Sequence, residues 1–330
     1  MHQRLATLAA AAVALLGSSM LAGCSGQPAS RPLPGGLALT GVSATPRNGW
    51  PISLTLVRPG DATVLYLPPG GHAYSLTYWS RGVRAQAYLD VPRGKGPLPL
   101  LIALHGGYTV AEPGHSDLVY WNQTSALVLA QPTAIAFLPN YVGYGPSRGR
   151  AGDAYEDTLD VENGLRALRR IAGLHIAPDA TYLFGFSLAG AVGALLAGQD
   201  RGVRAAAFVS PWPGARRSLD WYEANLGHLD EDERVGLDTL AEWEGTDPQS
   251  QWYRRNSYGY GDLRIPLLLI GGTQDNIVPA ALLSATAQDL RRCGHPVELK
   301  FFPGGHAVYS GDVQAFLQSW FQAHGIALQL

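Results

Sequence analysis

Tyr182-Leu183-Phe184-Gly185-Phe186-Ser187-Leu188-Ala189-Gly190 begins as an apolar β run. It turns sharply at a Gly-x-Ser-x-small pattern and enters an alanine-rich helix predicted over Ala191 to Ala197. A serine at the tip of so tight a turn has its hydroxyl held clear of the sheet. The residues two before and two after it must be small, because strand and helix nearly touch there. Gly185 and Ala189 meet that demand, with Gly190 behind them. Alone, the pattern is a weak signal, since a glycine turn carrying an ordinary serine reads the same.

Outward from this stretch, apolar runs recur with helical spacing between them. Leu98 to Leu104 reads as a strand buried on both faces and ends in His105-Gly106-Gly107-Tyr108. Trp121 to Ala130 is predicted to be a helix, Thr133 to Leu138 a strand ending in Pro139-Asn140-Tyr141, and Asp157 to Ala172 a helix. After the serine turn come a strand at Val203 to Val209, a strand at Pro266 to Ile270 and a helix at Ala280 to Arg292. A last strand spans Val297 to Phe302, and Val313, Phe316, Leu317, Trp320 and Phe321 mark a closing helix. Upstream, Tyr74 to Trp79 and Arg84 to Val91 flank Ser80-Arg81-Gly82 as a hairpin, preceded by short β-like runs such as Ile52–Leu56 and Thr63–Leu67. Strands alternating with helices give an α/β fold: a mainly parallel central sheet with helices on both faces. Sites in such sheets form at the carboxyl ends of strands. His105-Gly106-Gly107, Ser187, Asp275 and His306 all follow strand ends.

Three of these residue types make one chemistry. A serine hydroxyl is a weak nucleophile until a base takes its proton. A histidine serves as that base, and a carboxylate holds the imidazole in the right tautomer. The chain order Ser187, Asp275, His306 is that of the α/β-hydrolase superfamily. Gly271-Gly272-x-x-Asp275-x-x-Val278-Pro279 and Phe302-Pro303-Gly304-Gly305-His306 resemble its acid and histidine loops. Within it, His105-Gly106-Gly107, Tyr141-x-Gly143-Tyr144-Gly145-x-Ser147 and Gly185-x-Ser187 resemble the catalytic domain of the prolyl oligopeptidase family and related esterases. The elbow departs from that family in carrying Ala189 where it usually has Gly. The roughly 35 residues before the core are also too few for the β-propeller that filters peptides in the family's best-known members. The resemblance implies Ser187 as nucleophile, His306 as base and Asp275 as orienting acid. An oxyanion hole would use the Leu188 N–H with that of Gly107 or Tyr108. His105 is expected to satisfy backbone groups under the sheet.

Each residue also has a plainer reading. Asp275 could cap the following helix, and His306 could be a solvated loop histidine. Residues 211 to 262 break the α/β rhythm and read as an inserted helical cap in a domain spanning 41 to 330. The cap holds Trp212, Trp221, Trp243 and Trp252 with Tyr222, Tyr253, Tyr258 and Tyr260. These rings form either an aromatic lid or the cap's own small core. Tyr141, Tyr144 and Trp212 are the candidate pocket residues.

The N-terminus reads as a targeting segment. Arg4 and the apolar Leu5 to Leu16 have signal-peptide proportions, too short to span a bilayer. Leu21-Ala22-Gly23-Cys24 resembles the lipobox of bacterial lipoproteins, which implies a signal peptide over 1 to 23 and a lipid on Cys24. An ordinary cleaved secretory signal is the alternative. Residues 24 to 40 read as a Ser/Pro/Gly tether. The other of the two cysteines, Cys293, is expected to be a small, partly buried hydrophobe.

The formal net charge of -2 and the absence of basic runs give nucleic-acid binding no support. No phosphate-cradling or dinucleotide motif is present, so no cofactor is inferred, nor any metal. The expectation is therefore an exported, membrane-anchored lipoprotein of a bacterial envelope, a serine hydrolase acting on small carboxylic esters. The alternatives are a prolyl oligopeptidase-type peptidase acting on short peptides, and a non-catalytic binding lipoprotein on the same fold.

Overall fold

A computed structural model describes residues 32–58, 71–94, 96–107, 133–199, 202–242, 246–257 and 263–326. The runs with period-two or continuous apolar sequence become strands of one nine-stranded sheet. In chain order these are β2 (Pro51–Leu56), β3 (His72–Ser80), β4 (Val83–Val91), β5 (Leu98–Leu104) and β6 (Ile135–Asn140). Then come β8 (Ile176–Phe186), β9 (Val203–Val209), β10 (Leu267–Gly272) and β11 (Val297–Phe302). Their order across the sheet is β11-β10-β9-β8-β5-β6-β4-β3-β2. From β6 to β11 every pair is parallel, while β4, β3 and β2 add an antiparallel wing. This is an α/β-hydrolase fold, with the β3–β4 hairpin where its sequence predicts one.

Alternate residues of the parallel strands serve two cores, as the pleat requires. On one face Ile102, Leu104, Leu183, Phe208 and Leu269 pack under α1 (Ala154–Leu168), α2 (Ala189–Gln199) and α6 (Ala280–Arg292). On the other, Leu101, Ala103, Phe184, Ala207 and Ile270 meet Val313, Leu317, Trp320 and Phe321 of α7 (Gly311–Ala323). Truncating one such leucine to alanine costs about 2–5 kcal/mol. Helix α2 is apolar on every side up to Ala197 because its first turns are buried all round. Gly193 lets it approach the sheet, since a Cβ there would lie 2.3 Å from the Phe208 ring.

Between β9 and β10 the expected cap is helical: α3 (Ala215–Asn225), α4 (Glu231–Glu242) and α5 (Gln251–Asn256). Its rings make their own core. Tyr222, Leu229 and Leu240 are buried against Trp212, Trp221, Leu237 and Trp252. Trp243, Tyr258 and Tyr260 lie outside the described residues, as do Thr63–Leu67, the helix expected at Trp121 to Ala130, and the whole signal segment with Cys24.

Several features differ from expectation. Strand β6 continues through Pro139 to Asn140 although proline lacks a ladder donor; β5 pairs with it only as far as Phe137, and β4 alone flanks it beyond. Helix α1 starts earlier, capped by Asp153, whose side chain accepts the Glu156 N–H, and stops at Leu168. Ile171–Ala172 instead forms strand β7, paired with β1 (Ala38–Leu39). The last residues of the stretch expected as a tether, 24 to 40, are part of the folded body: Leu37 is buried in the core and Leu33 and Leu39 pack against it. Tyr74 fastens this stretch by giving its hydroxyl proton to the Pro34 carbonyl. Finally, Cys293 is exposed at the C-cap of α6, because that helix turns out to solvent there. Among the described residues, no helix is long and apolar enough to cross a membrane.

Candidate active site

The turn after β8 holds Ser187 at φ +55°, the left-handed region that non-glycine residues avoid. The surrounding backbone fixes it there. Ser187 N–H donates to the Val209 carbonyl at 3.0 Å, while its carbonyl accepts from Gly190 N at 2.9 Å and Trp212 N at 2.9 Å. The small residues have the expected cause. A Cβ at Gly185 would lie 2.6 Å from that of Ala189, and one at Gly190 would lie 2.3 Å from Pro211.

Two other strand ends bring an imidazole and a carboxyl to this serine. His306 Nε2 lies 2.9 Å from Ser187 Oγ. Its Nδ1 lies 3.0 Å from each carboxyl oxygen of Asp275. Asp275 Oδ1 also accepts the backbone N–H groups of Ile277 at 3.0 Å and Val278 at 2.9 Å. The carboxyl side chain is 1% exposed and the imidazole 14%. The consistent proton arrangement has Nδ1–H donating to Asp275 and Nε2 accepting from the serine hydroxyl. Asp275 thus does cap a turn, the plainer reading, and faces His306 at the same time.

The loops carrying the acid and the base are bound to each other. Thr273 N donates to the Phe302 carbonyl at 2.9 Å and Gln274 N to that of Gly304 at 2.8 Å. A side chain at Gly272 would strike the Gly305 carbonyl, at 2.3 Å. Ser210, just past β9, gives its hydroxyl proton to the His306 carbonyl at 2.7 Å. Sequence reading missed Ser210. Its signal was faint: a polar residue directly after an apolar strand, in line with the other strand ends.

The loop after β5 closes over the serine from the opposite side. A Cβ on Gly106 would lie 3.2 Å from the Ser187 Cβ and 2.9 Å from the Phe186 ring. The Leu188 N–H has no acceptor among the described residues. Its expected partner is the amide of Gly107, the residue after Gly106 in the loop that meets Ser187; Tyr108 lies outside the described residues.

His105 underpins this loop without facing the serine. Its Nε2 accepts the Tyr141 N–H at 3.1 Å and its Nδ1 meets the Gly106 carbonyl at 2.6 Å. Burial lowers its pKa to about 4, so it stays neutral, as one donor and one acceptor require. Tyr141 stacks on its ring at 3.8 Å between centroids and donates its hydroxyl to the His105 carbonyl at 3.0 Å.

The pocket expectation for Tyr141 and Tyr144 is corrected here. Both are 0% exposed, because Tyr141 serves the His105 loop and the Tyr144 hydroxyl packs against Gly107. Trp212 is half-buried, one backbone hydrogen bond from Ser187, with its ring 6.2 Å from that of Trp252. Among the described residues no group of His, Cys, Asp and Glu is arranged to hold a metal ion.

No protein-family profile matches the chain, and no curated protein matches it in sequence. Many solved structures share its fold. An acetyl xylan esterase from Paenibacillus sp. R4 is 18% identical, with a TM-score of 0.55 over 82% of this chain and 88% of its own. Est1E from Butyrivibrio proteoclasticus is 18% identical, with a TM-score of 0.53 over 76% of this chain and 98% of its own. Pyrococcus horikoshii acylaminoacyl peptidase is 14% identical, with a TM-score of 0.56 over 77% of this chain and 41% of its own. The chain therefore spans about two fifths of that peptidase's length. The fold is that of the α/β hydrolases.

Proposed function

We propose that this protein is a serine hydrolase that cleaves carboxylic esters through an acyl-enzyme intermediate. The observation that carries the reading is the continuous path from Ser187 Oγ through the His306 ring to Asp275, with links of 2.9 and 3.0 Å. In the reaction, Oγ attacks the ester carbonyl carbon as its proton passes to His306 Nε2. The carbonyl oxygen becomes an oxyanion beside the Leu188 and Gly107 amides. As the C–O bond to the leaving alcohol breaks, His306 returns the proton to that alcohol. Water then repeats the sequence on the acyl-serine and releases the acid. Asp275 keeps its negative charge throughout and stabilises the imidazolium.

The preference for esters over peptides rests on extent of likeness. The esterase structures align over most of their own length, the acylaminoacyl peptidase over less than half. The peptidase reading stays testable in the same assay. Graded p-nitrophenyl esters should turn over, and aminoacyl-p-nitroanilides should turn over far more slowly. Anilide rates near the ester rates would reverse the assignment. Absence of both activities, together with no Ser187-dependent fluorophosphonate labelling, would leave the non-catalytic reading.

Export and lipid anchoring at Cys24 belong to the same proposal and are supported by the apolar run and the Leu-Ala-Gly-Cys sequence. Radiolabelled palmitate should enter the full-length chain and fail to enter Cys24→Ala. Equal labelling of both would remove the anchor from the account.

A further inference from the structure

Helix α1 carries four acids on its first two turns and cap: Asp153, Glu156, Asp157 and Asp160. Two arginines from elsewhere answer them. Arg81, in the β3–β4 turn, meets Glu156 at 3.1 Å and Asp160 at 3.0 Å. Arg255, on cap helix α5, pairs with Asp153 and lies 3.7 Å from Glu156. Asp160 also accepts the Ser80 hydroxyl at 2.5 Å and the Val142 N–H at 2.8 Å. Asp157 stands apart. It is fully buried, and neither of its oxygens has a hydrogen-bond partner among the described residues.

Several charged and titratable groups among the described residues face Asp157. Its own helix presents Asp153, Glu156 and Asp160; the hairpin turn presents Arg81; the loop after β6 presents Tyr141. Arg255 reaches the cluster from the cap. Helix α2, packed against α1, contains no charged residue and offers the Val192 carbonyl to Thr158 at 3.4 Å. Four carboxyls face two guanidiniums, so full ionisation would leave excess negative charge in a buried cluster. A buried charge without donors is far costlier than a neutral acid in the same place.

This cluster is one residue from the catalytic loop. Asp160 and Arg81 hold Val142 through its N–H and its carbonyl, and the preceding residue, Tyr141, holds His105 twice. We propose that Asp157 is a positioning residue that works as a neutral carboxylic acid. Its ionisation in alkaline solution repels Asp153 and Asp160 and loosens the Tyr141–His105 contact that sets Gly106 beside Ser187. In support, burial first and then Asp160 hold its carboxyl well above the usual carboxylate range. Burial likewise pushes the Tyr141 phenol up.

The sign follows from linkage. In the unfolded chain Asp157 ionises in the ordinary carboxylate range; in the folded chain it keeps its proton to higher pH. Between those points the folded state binds more protons, so stability falls as pH rises, and the fall stops once the folded carboxyl has ionised.

The test compares wild type with Asp157→Asn from about pH 5 to about pH 10. The variant's Tm should exceed that of wild type by a margin that widens with pH. On p-nitrophenyl acetate, kcat of wild type should decline at the alkaline end with KM little changed, and that decline should shrink in the variant. A Tm difference independent of pH, or an identical alkaline decline, overturns the proposal. So does failure of the variant to fold, because asparagine reproduces the neutral acid's shape. In the unaltered chain the Asp157 carboxyl carbon should show the NMR shift of a protonated acid at neutral pH; a carboxylate shift there refutes it. The activity arm rests on the serine-hydrolase reading; the melting and NMR arms decide the matter even if that reading fails.

Discussion

Asp275 and Asp157 are both buried, and the molecule treats them in opposite ways. The turn after β10 gives Asp275 two backbone N–H donors and the His306 ring, all within 3.0 Å. The first turn of α1 gives Asp157 nothing, because the Tyr155, Glu156 and Asp157 amides already serve Asn256 and Asp153 and the two arginines are taken by its neighbours. Burial alone therefore does not fix what a carboxyl does. The turn after β10 has amides to give Asp275, whereas the first-turn amides of α1 are already spent on Asp153 and Asn256. That contrast separates the part of the fold that carries chemistry from the part that holds it in position.

The contrast can be broken at either end. Ser187→Ala removes the group that the Asp275 charge ultimately serves, and kcat on a p-nitrophenyl ester should fall about a million-fold. Asp275→Asn keeps the shape and removes the charge; kcat should fall about ten-thousand-fold with the fold intact by circular dichroism. If Asp275→Asn kept most of its activity, the two carboxyls would not differ as described. At the other end, Arg81→Met would strand Asp160 in the core and should cost about 3 kcal/mol in urea unfolding. Ser210→Ala loses one hydrogen bond to the His306 loop, worth about 1 kcal/mol, and should lower kcat by less than about tenfold. The smallest expected effect is a gain: Asp157→Asn should melt about 2 °C or more above wild type at alkaline pH and converge with it on acidification. A loss of stability at every pH would mean that Asp157 is a working charge after all.

Much of this was legible without coordinates. The strands Leu98–Leu104, Val203–Val209 and Val297–Phe302 and the helix Ala280–Arg292 are where the sequence predicts them. Long apolar runs bounded by glycine and proline leave a chain few options. The edges were harder. Ile171–Ala172 has helical spacing yet forms a strand, because β1 from far upstream pairs with it. Leu37 lies in Gly- and Pro-rich sequence yet fills a core position that only the folded sheet creates. Tyr141 and Tyr144 follow a strand end and suggested a pocket. The His105 loop closes over them, a contact between segments about 36 residues apart in sequence.

The sequence by itself determined the sheet, the tight turn at Ser187 and the order of serine, acid and histidine, since local sterics and hydrophobic period act over a few residues. Only the tertiary structure decided that Ser210 steadies His306, that the cap's tryptophans pack on one another, and which buried acid has donors. Those facts depend on what distant segments bring to one place, and hydrogen-bond partners across a fold leave no periodic trace along the chain.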